Sequence, residues 1–219
     1  MQQPASVRGL DWARACGAAR PAGDIRCEPG DFRVTEILSF EPDGVGDHDY
    51  LWVEKTAANT NWVASELANF AGVPLRDVGF AGLKDRHAIT RQWFSVPRRH
   101  DRPADWTAFD ASGIRIANLS RHGRKLRRGA HRGNEFHIIV RNINGIDGSI
   151  DETLERLNAQ GIANYFGEQR FGRGGSNLAT AEKLFAGRRL RRASRSMALS
   201  AARAYLFNRV LERRVLDET

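Results

Sequence analysis

The chain has 219 residues, with 34 Lys and Arg against 26 Asp and Glu, for a formal net charge of +8. That length suits one domain or two small ones with a genuine core, and 41% hydrophobic with 27% charged residues argues against collagen-like, wholly disordered and membrane-spanning classes. Cys16 and Cys27 belong to no CxxC pair or histidine cluster, so neither a disulfide scaffold nor a zinc ribbon is expected. No apolar run has the character of a signal peptide or the length of a membrane span, and a reducing cytoplasm is the expected compartment.

In chain order, residues 24–53 read as a hairpin with a long loop: DFRVTEIL (Asp31–Leu38) alternates, EPDGVGDHD carries turn residues, and YLWVEK (Tyr50–Lys55) alternates again. Asn59 or Thr60 can cap a helix over 61–71, with Val63, Leu67 and Phe70 on one face and Gly72 and Pro74 ending it. VGFAGLKDRHAITRQWFSV (78–96) reads as strand, charged loop over Lys84–Ala88, strand; 113–119 and 136–141 are further extended runs. Helical spacing then takes over at 150–160, 177–185 and 199–216. The change near residue 160, with Gly161 beside it, divides the chain into 1–159 and 160–219. The last helix carries an apolar stripe, Leu199, Ala202, Leu206, Val210 and Leu211, that calls for a partner.

The positive charge is local. Ala111–Asn134 holds seven bases and no acid, Arg115, Arg121, Arg124, Lys125, Arg127, Arg128 and Arg132, and Lys183–Leu211 holds eight more with no acid. The remainder of the chain is therefore acidic. Clustered bases suit a polyanion such as nucleic acid, although solvated faces are the commoner fate of a charge run; the preponderance of arginine favours bidentate phosphate contacts.

Asp85, in GLKDRHAIT, sits on a strand-to-strand loop among Lys84, Arg86 and His87. Nearby cations favour an ionised carboxylate, able to act as nucleophile or base; the plainer reading is a surface aspartate in ordinary ion pairs. The glycines of NYFGEQRFGRGGSN fit no GxxxxGK[ST] loop and no GxGxxG after a strand, which argues against a nucleotide cofactor site.

DFRVTE (Asp31–Glu36), FAGLKDRHAITRQW, RGNEF (Arg132–Phe136) and NYFGEQRFG (Asn164–Gly172), in this order, together with LSAARAYLFNRVL near the end, resemble the TruD type of tRNA pseudouridine synthase over nearly the whole chain. The resemblance implies an α+β fold: a pseudouridine synthase catalytic domain with a mixed, mainly antiparallel sheet flanked by helices, over residues 1–159, and the start of a helical insertion domain from 160. It implies isomerisation of uridine, by family expectation uridine 13, in tRNA, with no cofactor and no metal, by an enzyme with tRNA as its partner and no membrane attachment; it leaves the oligomeric state open.

By match to the family's motifs, Asp85 would be the catalytic aspartate, Phe32 the aromatic that contacts uridine, and Asn134 the amide that holds the target nucleotide. Phe136, on the same strand face, would stack near the base, and Arg26 is a candidate partner of Asp85. Arg124, Lys125, Arg127, Arg128, Arg132, Arg170 and Arg173 are the candidate RNA contacts, with Tyr165, Phe166 and Phe171 packing. Family members continue further, through the rest of the insertion domain and back into the catalytic domain, so the chain is expected to be truncated relative to them. The rival readings are an inactive, truncated RNA-binding fragment and a basic structural or ribosome-associated protein.

Overall fold

Strands dominate the first two thirds of the chain. In order they are β1 (Ala22–Ile25), β2 (Phe32–Leu38), β3 (His48–Thr56), β4 (Gly79–Phe80), β5 (Ile89–Pro97), β6 (Ile114–His122), β7 (His131–Ile138) and β8 (Val140–Asn144). The structure, a computed structural model, describes residues 10–15, 22–145 and 149–217; Cys16 lies outside them, and Cys27 is free and exposed. Six strands form a sheet in the order β6-β3-β5-β2-β7, with β4 added to β5, while β1 pairs with β8. β2 and β5 run parallel; the other ladders of this sheet are antiparallel.

The expected hairpin over 24–53 does not form, because β5 inserts between β2 and β3, parallel to one and antiparallel to the other. A short two-residue turn would have forced its flanking strands together; the long loop before His48 imposes no such register. β5 is buried along most of its length, and in the centre the ladders to β2 and β3 satisfy its backbone on both edges.

The helix α1 (Thr60–Ala71) covers one face of the sheet. Val63, Ala64, Leu67 and Ala68, spaced by three and four residues, pack on Leu51, Val53, Phe94 and Val96 in the main core. Asn59 takes the N-cap position without a side-chain capping bond, and Gly72 closes the helix in the left-handed conformation at φ 65°. On the opposite face, Tyr50, Ala81 and Leu126 form a smaller cluster.

Contacts group the chain into two units, Gly23–Asn144, and Met1–Ala22 with Gly145–Thr219. The second contains α2 (Ser149–Gln160), α3 (Glu168–Phe171), α4 (Ser176–Phe185) and α5 (Arg192–Leu216), so α2, which precedes the expected change at residue 160, groups with the helical part. The stripe that calls for a partner stays uncovered at Leu206 and Val210, which are exposed, while the buried face of α5 is Ala198, Ala201, Ala204 and Asn208. Small side chains let α5 approach Phe171, Trp12 and Leu178 closely. The Asn208 amide fixes the backbone of Phe166 through both its groups, each bond at 2.9 Å. No described helix is long and apolar enough to cross a membrane.

Leu67→Ala should lower stability by about 2–5 kcal/mol, the usual cost of a core leucine truncation. Leu206→Ala, at a side 64% exposed, should change it by no more than about 0.5 kcal/mol; urea unfolding of the two variants reads both.

Candidate active site

The register of the sheet gathers the candidate residues. Val34 of β2 lies opposite Phe136 and Glu36 opposite Asn134 on β7, and Val34 lies beside Thr90 on β5, which in turn pairs with Lys55 on β3. Side chains paired across a ladder share a face, as do alternate residues along a strand. Phe32, Glu36, Asn134, Phe136, Thr90, Gln92 and Lys55 are therefore on one face, the face that also carries α1.

Phe32 enters β2 from a 3-10 turn, Pro29–Asp31. Asp31 is buried and held by both arms of Arg141 at 2.7 and 2.8 Å, while its Oδ2 accepts the Glu28 amide at 3.0 Å. The Arg141 guanidinium holds the Asp31 carboxyl below the usual carboxylate range, aided by the Glu28 amide. This anchor sets the ring of Phe32 edge-on to Phe136, with centroids 6.0 Å apart. Phe32 is buried, whereas Phe136 is 54% exposed and free to receive a flat ligand.

Arg26 follows β1 with φ 61°, a left-handed conformation that is strained for a side-chain-bearing residue. That turn lays its guanidinium 4.0 Å over the Phe32 ring and brings Nη2 to 3.5 Å from Asp85 Oδ1. The Arg26 pairing expected from the resemblance is thus present as geometry. Two further buried polar atoms near this face, Asn134 Oδ1 and Thr90 Oγ1, have no hydrogen-bond partner among the described residues, nor has Arg26 Nε. Buried polar groups without partners are uncommon and ask for a ligand or water.

The loop that carries Asp85 is tied down from four elements. Gln92 Nε2 of β5 donates to the Gly82 carbonyl at 3.0 Å, and the Lys84 amide donates to Thr60 Oγ1 of α1 at 2.9 Å. Lys84 Nζ reaches Glu36 Oε2 of β2 at 2.6 Å, and Lys55 Nζ of β3 donates to the Asp85 carbonyl at 2.7 Å. Thr60, expected as a helix cap, uses its hydroxyl here, also bonding Gln92 Oε1 at 3.1 Å. Lys84 was expected among the cations around Asp85; its ammonium instead turns inward to Glu36, and Arg86 and His87 are exposed. Burial pushes the Lys55 ammonium down to about 8, against the pull of Asp85 and with the push of Lys84.

Sequence reasoning did not single out Lys55, Gln92 or the Asp31–Arg141 pair. Lys55 left a signal: it continues the inward alternation of Leu51 and Val53, where an apolar residue is the norm.

The basic residues after β6 lie close by in the same unit. Arg124, Lys125, Arg127 and Arg128 are exposed on a loop held by buried Leu126, by the Leu126 amide on Ser95 Oγ at 2.8 Å, and by the Gly129 amide on the Ala81 carbonyl at 2.8 Å. Gly79 is required beneath this loop, since a Cβ there would sit 2.4 Å from the Leu126 carbonyl oxygen. Arg128 lies 3.8 Å over the Phe80 ring, and Arg132 is exposed on β7. Ala81 leads directly into the tethered loop, so the basic loop meets the chain where that loop begins. In the helical unit Arg170 and Arg173 are exposed, with Arg170 beside a groove of about 540 Å³ that Arg203, Phe166 and Phe207 also line. Phe171 and Tyr165 pack as expected, against Trp12; Phe166 is partly exposed on Phe207. Among the described residues no cluster of His, Cys, Asp and Glu could hold a metal ion.

Residues 15–178 match the family described as tRNA pseudouridine synthase D (TruD). The chain belongs to the TruD family. It is 51% identical over 207 residues to the tRNA pseudouridine synthase D of Methylococcus capsulatus, covering 94% of this chain and 58% of that relative. It is 50% identical over 212 residues to that of Cellvibrio japonicus, covering 94% and 63%. The crystal structure of a Methanosarcina mazei protein described as TruD is similar with a TM-score of 0.68 at 27% identity, over 82% of this chain and 42% of that one. The chain thus spans less than two thirds of the length of these relatives.

The Asp31–Arg141 anchor has a pH signature. Asp31 stays ionised in the folded chain below the pH at which the unfolded chain takes up its proton. Its stabilisation is therefore complete above the ordinary carboxyl value of 3.8 and is lost as pH falls through the lower, folded value. Asp31→Asn should be less stable than the wild type near neutrality, with the gap narrowing on acidification, as read from urea midpoints across the acid range.

Proposed function

We propose that this chain is a tRNA pseudouridine synthase that isomerises uridine to pseudouridine, at uridine 13 by family expectation, with Asp85 as its catalytic carboxylate. The observation that carries the reading is the placement of Asp85 on a loop tethered from four strands and helices, with Arg26 at 3.5 Å and the same Arg26 stacked on Phe32. Asn134, with an orphaned Oδ1, and exposed Phe136 share the sheet face with Phe32.

The reaction breaks the bond between ribose C1′ and uracil N1, forms one from C1′ to C5, and moves the C5 proton to N1. Nothing is added or lost, so no redox partner or group donor is needed. A uridine within folded RNA must be extruded before a side chain can reach C1′. In this reading the extruded base stacks on Phe136, a contact worth about 1–3 kcal/mol. Asn134 offers an amide donor and acceptor to the Watson–Crick edge of uracil, and Phe32 with Arg26 closes the wall behind it. Asp85 acts as an ionised carboxylate, whether it attacks the sugar, adds to the base or removes the C2′ proton. Arg124, Lys125, Arg127, Arg128 and Arg132 engage the RNA backbone, and Arg170 and Arg173 are the candidate RNA contacts of the helical unit taken by itself. Action on tRNA makes the cytoplasm the expected compartment.

The decisive experiment is pseudouridine formation on tRNA by the purified chain beside Asp85→Asn, with filter binding across salt on the same samples. Product from the wild type and a loss of at least about 10³-fold in the variant, with tRNA affinity kept, is the expected result. Product from Asp85→Asn overturns the role of Asp85, and salt-sensitive binding without product from either protein supports the RNA-binding fragment instead. In the same titration Arg127→Ala/Arg128→Ala should weaken binding of all tRNAs alike and reduce the salt slope by about 1–2.

A further inference from the structure

Of the four tethers under the catalytic loop, the one from Lys55 touches Asp85 itself. Lys55 stands on β3 where Leu51 and Val53 set an inward alternation, and its side chain is fully buried. Its ammonium donates to the Ala58 carbonyl and to the Asp85 carbonyl, both at 2.7 Å. The first belongs to the segment that enters α1, the second to the residue that carries the carboxylate.

An apolar side chain would fill the same space without the cost of desolvating a cation, but it would take this donor from the buried Ala58 carbonyl and from the partly buried Asp85 carbonyl. The other tethers act earlier in the loop, on Gly82 and Lys84. The charged groups facing Lys55 are Asp85 and Lys84, and Lys84 is itself taken up by Glu36.

We propose that Lys55 is the positioning residue of Asp85: by bridging the Ala58 and Asp85 carbonyls it fixes the loop backbone at the carboxylate-bearing residue and holds the carboxylate in its place beside Arg26. This rests on the reading of Asp85 as the catalytic carboxylate. Lys55 is out of reach of RNA and acts through the backbone of Asp85. A displacement of about 1 Å at a reacting centre can lower a rate on the order of 10²-fold, which sets the size of the effect.

The test is Lys55→Met in the full 219-residue chain, read in two independent ways. In pseudouridine formation kcat should fall on the order of 10²-fold while KM and tRNA affinity stay within about twofold, and Lys55→Arg, which keeps a cation and donors, should recover part of the rate. In native-state amide exchange the loop amides of residues 84–88 should exchange about tenfold faster in Lys55→Met, with the amides of β3 and β5 unchanged. A kcat within about twofold of wild type, or faster exchange spread over β3 and β5 together with the loop, overturns the proposal and leaves Lys55 a general core residue.

Should Lys55→Met fail to fold, the wild type carries the test: as the Lys55 amine titrates, the carbonyl carbons of Ala58 and Asp85 should shift together with it, and shifts that do not follow Lys55 overturn the proposal. A wild-type chain that makes no pseudouridine counts against the enzymatic reading alone, because amide exchange and carbonyl shifts decide the Lys55 contact without turnover.

Discussion

Lys84 and Asp85 are neighbours in sequence, yet Lys84 Nζ lies 2.6 Å from Glu36 with 4% of its side chain exposed and none of the glutamate's. The other Glu36 oxygen accepts the Trp93 amide at 3.1 Å, so the pair is buried with further hydrogen bonding. Desolvation cancels much of what such a pair gains by attraction, while removal of one partner strands a buried charge at a cost of about 3–5 kcal/mol. Its value is therefore in geometry. With Lys84 drawn into the sheet face, Asp85 is left at the rim, half-exposed, where Arg26 meets it. The bonds from Thr60, Gln92 and Lys55 extend the same restraint to the flanking backbone.

The cations divide into those that build the site and those that surround it. Arg26, Lys55, Lys84 and Arg141 are engaged with named protein partners and shape the backbone around Phe32 and Asp85. The loop after β6 instead keeps its arginines at the surface while its backbone is pinned by Leu126, Ser95 and Ala81. A pinned backbone bearing exposed cations suits a polyanion, because the loop does not have to be ordered on binding. The first set requires burial and fixed distances, the second only proximity and exposure.

In the helical unit an alanine face does what larger side chains do in the sheet unit. Ala198, Ala201 and Ala204 let α5 lie close to the segment around Phe171, and Asn208 replaces a helix-to-loop apolar contact by two backbone hydrogen bonds to Phe166. The outer side of α5 retains exposed Leu206, Phe207 and Val210. The large apolar residues along this helix thus lie on its outer side, and its packed face is made of small ones that allow close approach.

The sequence by itself determined where most strands and helices lie, since alternation and three-to-four spacing are local properties of the chain: the strand, loop, strand run around Asp85, the helix after Asn59 and the helices α2 and α4 stand where their patterns put them, while α5 begins at Arg192, ahead of its apolar pattern, and α3 had no pattern of its own. Its long motifs also carried the family, and with it the names of Asp85, Phe32, Asn134, Phe136 and Arg26. Strand order was decided only in three dimensions, because the loop between β2 and β3 is too long to impose pairing, and β5 took the place between them. So were the partners of buried polar groups. Alternation along β2 and β3 puts Glu36 and Lys55 on the inward side, but only the sheet register, which brings β2, β3, β5 and α1 around one loop, gives them partners there, Lys84 for Glu36 and the Asp85 carbonyl for Lys55.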